Sequence, residues 1–209
     1  DQNEWFITSG ETIIDQSSGN IKAKDATLTL KGVPILYSPY VDFSTTSQRR
    51  SGWLLPTAGT TTTSGFETSI PYYFNLSPTY DATLTSRYME KRGLQFDGEF
   101  RYKKEDFEGT SQIQYLNKDN ESDIDNRYLL DIKHKHVCGH GFTGTIDYEK
   151  VKNGDNNYFA DMSTSIAVTS QVNLRQKAQL NYKKTDDLSD INARVKVQEF
   201  QNLSPSSPY

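Results

Sequence analysis

The chain has 209 residues and a formal net charge of -4, enough for one large domain or two small ones. The acidic balance argues against a nucleic-acid binder, and no apolar run approaches the roughly 18 residues that suggest a membrane-spanning helix. The single cysteine, Cys138, excludes a disulfide within the chain.

Composition leaves two classes open. A hydrophobic content of 34% looks like a soluble protein. It equally fits a transmembrane barrel, whose strands alternate lipid-facing apolar residues with polar ones facing the lumen. The 13 Tyr and 10 Phe favour the barrel, because aromatic girdles sit at both membrane interfaces. The opening Asp1-Gln2-Asn3-Glu4 is polar and lacks Met, as expected of a mature or truncated start.

In chain order, Trp5–Thr8 and Thr12–Ile14 read as short strands and Ser17–Asn20 as a turn. From Ile21 to Leu30 the alternation changes phase near Asp25, which predicts a bulge or corner. Pro34 and Pro39 then exclude a central strand, because each lacks a ladder donor. Residues 1–44 are therefore expected to be stacked short strands, the end of a β-solenoid or jelly roll. Residues 45–63 are expected to be a linker and hinge, and the run Thr60–Thr63 within them reads as either a strand or an extended loop.

From residue 64 onward the rhythm becomes one of roughly ten-residue alternating runs, the length a tilted strand needs to cross a bilayer. Tyr80, Ala82, Leu84, Ser86 and Tyr88 oppose Asp81, Thr83, Thr85 and Arg87. Leu94, Phe96, Gly98, Phe100 and Tyr102 oppose Gln95, Asp97, Glu99 and Arg101. Two later runs, Phe142–Glu149 and Ile191–Gln198, behave alike. Charge on the lipid face at mid-bilayer costs about 2–4 kcal/mol per residue, so Arg87, Arg101 and Arg194 point to a wet lumen. About nine such strands are expected. That odd count favours an incomplete barrel, and the tail from Leu203 to Tyr209 reads as a cut loop.

Several stretches together resemble the LptD family of outer-membrane lipopolysaccharide transporters. They are Gly32–Tyr40, Arg50–Pro56, Ile70–Pro78, Tyr80–Thr85, Arg92-Gly93 and Glu99–Tyr102, with Tyr158–Asp161 a weaker later match. The resemblance implies an all-β fold: the C-terminal part of a periplasmic β-jelly roll (1–44), a hinge (45–63), and the first antiparallel strands of a large outer-membrane β-barrel (64–209). It implies lipopolysaccharide transport by way of a greasy periplasmic groove and a lateral barrel gate. The implied partners are lipopolysaccharide, an LptE lipoprotein plug, a periplasmic LptA bridge and, during folding, the barrel-assembly machinery.

On this reading Trp5, Ile7, Ile14, Ile21, Leu28, Leu30 and Ile35 line the acyl-chain path, since an apolar trough buries lipid at about 0.8 kcal/mol per CH₂. The bland reading of the same residues is an ordinary β-core. Tyr37, Tyr40 and Phe43 mark the hinge, and Pro71 falls in the first barrel strand, where it removes a ladder donor from a seam that must open. The family's second gate proline is expected at the position of Ser86 and is absent there. Asp81, Arg87, Asp97, Glu99 and Arg101 form a luminal wall of cross-strand ion pairs. Arg49 and Arg50 read as a solvated loop pair before headgroup ligands.

His134, His136, Cys138 and His140 share one strand face, but i, i+2 neighbours stand about 6.5–7 Å apart. Four adjacent ligands do not converge without a bend, so a strand end with its loop is preferred to a metal site. No Ser-His-Asp, Cys-His or metal-hydrolase spacing supports an enzyme, and no cofactor is implied. The rival readings are a general porin-like channel and a soluble β-sandwich binding module.

Overall fold

The computed structural model describes residues 5–15, 20–30, 32–44, 49–162, 172–186 and 189–203. The chain divides into two compact units, Asp1–Gly52 and Trp53–Tyr209. Of the turn expected over 17–20, residues 17–19 lie outside the described residues, as do 204–209 of the tail.

The first unit is a four-stranded sheet of β1 (Trp5–Thr8), β2 (Glu11–Asp15), β3 (Asn20–Leu30) and β4 (Val33–Ser44). β1 and β2 lie end to end along one edge of β3, with Trp5 opposite Leu30 and Asp15 opposite Asn20. β4 takes the other edge. The expected phase change is real. Asp25 adopts a φ of 50°, and Gly10, in the break between β1 and β2, donates its N–H to the Lys24 carbonyl at 3.0 Å. Across this kink both Ala23 and Ala26 are buried, although they are three residues apart. The prolines Pro34 and Pro39 fall in β4, an outer strand of this sheet, where a missing donor is tolerated.

The second sheet is an antiparallel meander. It comprises β5 (Gly52–Trp53), β6 (Thr57–Thr61), β7 (Gly65–Ser77), β8 (Tyr80–Met89), β9 (Gly93–Lys103), β10 (Phe107–Leu116), β11 (Arg127–Gly139), β12 (Phe142–Val151), β13 (Asn173–Asp186) and β14 (Ser189–Asn202). Sequence neighbours pair throughout from β7 to β14, and the sheet does not close. Among the described residues there are eight long strands after residue 64 where about nine were expected. Tyr158–Met162, between β12 and β13, forms a short helix, α1.

Two further expectations change. The stretch 45–63 is not linker throughout: Thr57–Thr61 pairs with Gly65–Ser69, because a run of β-branched threonines beside a Gly turn makes a hairpin arm. Consequently β7, which carries Pro71, is not the first strand, since β5 and β6 both pair with it along one edge.

The period-two faces hold strand after strand. Tyr80, Ala82, Leu84, Ser86 and Tyr88 stand opposite Tyr102, Phe100, Gly98, Phe96 and Leu94. Of these, Tyr102, Phe100, Gly98 and Phe96 stand opposite Gly109, Ser111, Ile113 and Tyr115. One face of the sheet is thus apolar and exposed, with Val195 and Val197 of β14 at 68% and 71% exposure. The other face carries the charges. Among the described residues of this sheet, buried apolar side chains gather at one end, where Met89, Leu116, Leu129 and Val151 meet Tyr158, Phe159 and Met162 of α1. That end holds the longer connections among the described residues, 117–126 and 152–162. The opposite end holds tight turns at Pro78-Thr79, Lys104–Asp106 and His140-Gly141.

Candidate functional site

The polar face is the most elaborated surface of the second unit. Antiparallel register sets Asp81 opposite Arg101, and the Arg101 Nε donates to Asp81 Oδ1 at 2.7 Å and lies 3.2 Å from Glu99 Oε1. Tyr73 adds a hydrogen bond to the other Asp81 oxygen at 3.2 Å. Three of the five wall residues predicted from sequence are therefore joined. Arg87 makes a separate pair, donating to Glu67 Oε2 at 2.6 Å and to the Met162 carbonyl at 2.7 Å. Asp97 accepts from Gln112 and Gln114, at 2.8 and 2.9 Å, rather than from a cation.

The densest cluster escaped sequence reading. Arg127, the first residue of β11, is fully buried. Its Nε and one terminal nitrogen hold Asp155 in a two-point fork, both at 2.8 Å. The remaining nitrogen donates to Asp119 Oδ2 at 2.5 Å and pairs with Asp161 Oδ2 at 2.9 Å. Arg92 closes the ring by donating to Asp119 at 2.8 Å, to Asp161 at 2.9 Å and to the Thr63 carbonyl at 3.1 Å. Two guanidinium groups and three carboxylates thus tie four connections together: the β6–β7, β8–β9, β10–β11 and β12–β13 loops. Planar, always-charged guanidinium suits this role, because its fork satisfies carboxylates bidentately.

Tyr158 lies over the cluster, with the Arg127 guanidinium carbon 5.7 Å from its ring centre and its hydroxyl donating to Gln114 at 3.0 Å. Burial pushes that hydroxyl well above the usual tyrosine range. Beneath α1 lies a cavity of about 760 Å³, lined by charges of both signs including Arg87, Asp131, Lys133, Asp147 and Arg175. The sequence signals for this lock were two family-like stretches, Arg92-Gly93 and the weaker run Tyr158–Asp161. Its arginines and aspartates sit at the start of β11, in connections and in α1, where charge is unremarkable in a linear reading.

On the apolar face, ring contacts form a band at the tight-turn end. Tyr80, Phe100, Tyr102 and Phe107 follow one another at 6.1, 5.7 and 5.9 Å between ring centres. His134 and His136 extend it, at 5.7 Å from Tyr102 and 5.6 Å from Phe107. Gly109 lies between Tyr102 and His134 in the register, and the Tyr102 ring passes over it to place its hydroxyl 2.7 Å from His134 Nδ1. A Cβ at Gly109 would collide with that ring and come within 2.6 Å of the Lys133 carbonyl. β11 ends at Gly139, and His140 sits in the turn with a φ of 49°. Among the described residues no three metal-ligating side chains come together.

In the first unit, register brings the path residues together in pairs, Ile7 opposite Leu28 and Ile14 opposite Ile21. Ile14 is exposed at 64% and Leu28 buried at 8%, so the set presents a surface rather than a closed core. The side chains of Trp5, Leu30, Ile35 and Phe43 lie outside the described residues. Tyr37 and Tyr40 are exposed on β4. The Tyr37 hydroxyl donates to Asp25 at 2.7 Å, and this bond pushes its ionisation above the usual range. Pro71 accepts through its carbonyl from the Leu54 N–H at 2.9 Å and faces Thr85 across β8. Ser86 stands opposite Ile70.

Comparison with known proteins gives a consistent picture. A family model described as LptD protein matches residues 21–207. The LPS-assembly protein LptD of Nitrosomonas eutropha is 41% identical over 182 residues, 87% of this chain and 25% of that protein. Its counterpart in Chromobacterium violaceum is 40% identical over 200 residues, 96% of this chain and 25% of that protein. That of Bordetella avium is 44% identical over 160 residues, 77% of this chain and 20% of that protein. The chain therefore spans about a quarter of the length of the first two of these relatives.

Proposed function

The chain belongs to the LptD family, and on that premise we propose that it serves lipopolysaccharide assembly as one wall of an outer-membrane barrel joined to the last strands of a periplasmic lipid-entry sheet. The observation that carries this reading is the two-faced meander. Its apolar face is exposed across eight long strands, and its opposite face holds paired charges. In water such a face would be a large aggregation surface. In a bilayer it is the lipid contact, and the charged face is the lumen. Tight turns at one end and long connections at the other give the orientation, with the tight turns in the periplasm.

Ile7, Ile14, Ile21 and Leu28, with Trp5, Leu30 and Ile35, form the acyl-chain path in the first sheet, and Tyr37, Tyr40 and Phe43 lead from it. The seam that opens is the edge where β5 and β6 meet β7. In an antiparallel pair the N–H and C=O of one residue face the same neighbour. The Pro71 carbonyl faces β5, so its missing donor is lost from that same edge. Pro56 falls in the gap between β5 and β6, shortening the edge further. Each lost bond weakens the seam by about 0.5–1.5 kcal/mol. Substrate lipopolysaccharide, the LptA bridge, the LptE plug and the barrel-assembly machinery complete the reading, and no chemistry of an enzyme is involved.

The test is photocrosslinking in cells, in the full-length protein, with the crosslinker at Ile14, at Leu28 and, as a wall control, at Glu99. Lipopolysaccharide adducts at the first two positions and not at Glu99 support the path. No adducts at any position, in a protein folded in the outer membrane, favour a general porin-like channel instead.

A further inference from the structure

The apolar face is not uniform. Two cross-strand rows run side by side near the tight-turn end: His134, Ile146, Ala178, Val197 and His136, Gly144, Leu180, Val195. Gly144 and Ala178 are the small members, and a Cβ added at Gly144 would meet nothing within 4 Å. The result is a trough of about 410 Å³ with an apolar floor and the two histidines along one side. Phe142 and Tyr182, with ring centres 4.7 Å apart and planes tilted by 40°, meet in the next row toward the turns.

Histidine is a costly residue on a lipid-facing surface unless it meets a polar partner. Both rings lie within the aromatic band, and His136 is three residues from the end of β11, about 10 Å at the rise of a strand. In the barrel reading above, a position this close to the tight turns faces the headgroup side of the periplasmic leaflet. His134 Nδ1 is engaged by the Tyr102 hydroxyl, leaving Nε2 as the ring atom that faces a ligand; when the tyrosine donates, Nε2 carries the proton and is a donor. Lys104 adds a cation to the same band, its Nζ 5.6 Å from the Phe107 ring that in turn contacts His136. An apolar trough edged along one side by imidazole nitrogens, with a cation beyond them in the same ring band, matches one kind of molecule.

We propose that this trough holds a single phospholipid of the periplasmic leaflet, with its phosphodiester at His134 and His136 and an acyl chain over Gly144 and Ala178. The site rests on the barrel reading above but is separate from the lipopolysaccharide path, since it lies on the outer surface of the wall. The Tyr102–Gly109–His134 row is then a positioning device. The missing side chain at Gly109 lets the tyrosine reach across β10 and fix the imidazole.

The experiment is native mass spectrometry of the full-length protein in a maltoside detergent. It is loaded in turn with phosphatidylethanolamine and with diacylglycerol of the same acyl chains. The expected result is one retained phospholipid and about tenfold less diacylglycerol, the scale of one hydrogen bond to a charged group. The double variant His134→Phe/His136→Phe keeps the ring band and should lose the preference. Ala178→Phe, which fills the trough without touching the histidines, should lose both lipids. Equal retention of the two lipids by the unchanged protein, or a preference that survives in the double variant, overturns the site. Each protein is also checked for outer-membrane fractionation and heat-modifiable gel mobility. Failure of the unchanged protein in that check overturns the barrel reading and the site with it, whereas equal retention in a correctly inserted protein overturns the site alone.

Discussion

Replacing Arg127 with methionine is the sharpest perturbation of the wall. The side chain is 0% exposed and is the hub for Asp155, Asp119 and Asp161. Methionine fills much of the same volume but leaves Asp119 and Asp161 with Arg92 as their guanidinium partner and takes the guanidinium fork away from buried Asp155. Breaking a buried pair from one side costs about 3–5 kcal/mol, because the stranded charge keeps its desolvation penalty. The loss should be local, as the cluster ties loops rather than the strand ladder. Lys152 is the sole trypsin site between Val151 and Arg175. It is anchored by its backbone N–H to the Tyr128 carbonyl at 3.2 Å and by its ammonium to the Asp125 carbonyl.

Cleavage after Lys152 in the folded, full-length protein therefore reports opening of this connection. A cost of 3 kcal/mol raises the open population by about two orders of magnitude. Arg127→Lys keeps a charge without the fork and should fall between the two. Arg127→Met/Asp155→Asn removes a stranded charge and should recover part of the loss. An Arg127→Met protein cleaved at the unchanged rate would refute the view that this cluster holds the loops. So would a double variant cleaved faster than the single one, because the stranded charge would then not be the source of the cost.

Three further outcomes follow from particular contacts. Gly109→Val should destabilise the barrel by about 1–3 kcal/mol through overpacking, read as a lower unfolding temperature by gel shift, whereas Tyr102→Phe should cost about 1 kcal/mol for its hydrogen bond. Pro71→Ala restores a donor on the β5 side and should tighten that edge by about 0.5–1.5 kcal/mol. Slower amide exchange at Trp53–Leu55 would show it, and unchanged exchange would remove Pro71 from the seam. The Tyr37–Asp25 bond raises the tyrosine above its unfolded value of 10.0, so its contribution is complete below that pH and is lost as pH rises through the folded value. Absorbance titration should show Tyr37 ionising at lower pH in Asp25→Asn than in the unchanged protein, and an unmoved Tyr37 would remove the bond as the cause.

The alternation in β8, β9, β12 and β14 was readable because side chains in a strand have a period of two and the two environments differ sharply in polarity. The same logic found the kink at Asp25, where the apolar phase shifts, and the missing donors of Pro34 and Pro39 excluded a central strand there, as the outer position of β4 bears out. Local pattern failed where pairing partners were needed. Nothing in Thr57–Thr61 separates a strand from an extended loop until Gly65–Ser69 lies beside it. Tyr158–Met162 is apolar enough for a strand, yet it turns into helix where it can cap the ends of β8, β10, β11 and β12.

What the amino-acid order determined by itself is the two-faced character of each strand, since that depends only on neighbours two residues apart. The lock among Arg92, Asp119, Arg127, Asp155 and Asp161 was decided by tertiary structure alone. Its members are separated by up to 69 residues along the chain, and each is an ordinary surface charge until strand register brings the loops to one end. Burial, and the need to satisfy every charge once water is gone, then turns five scattered residues into one unit.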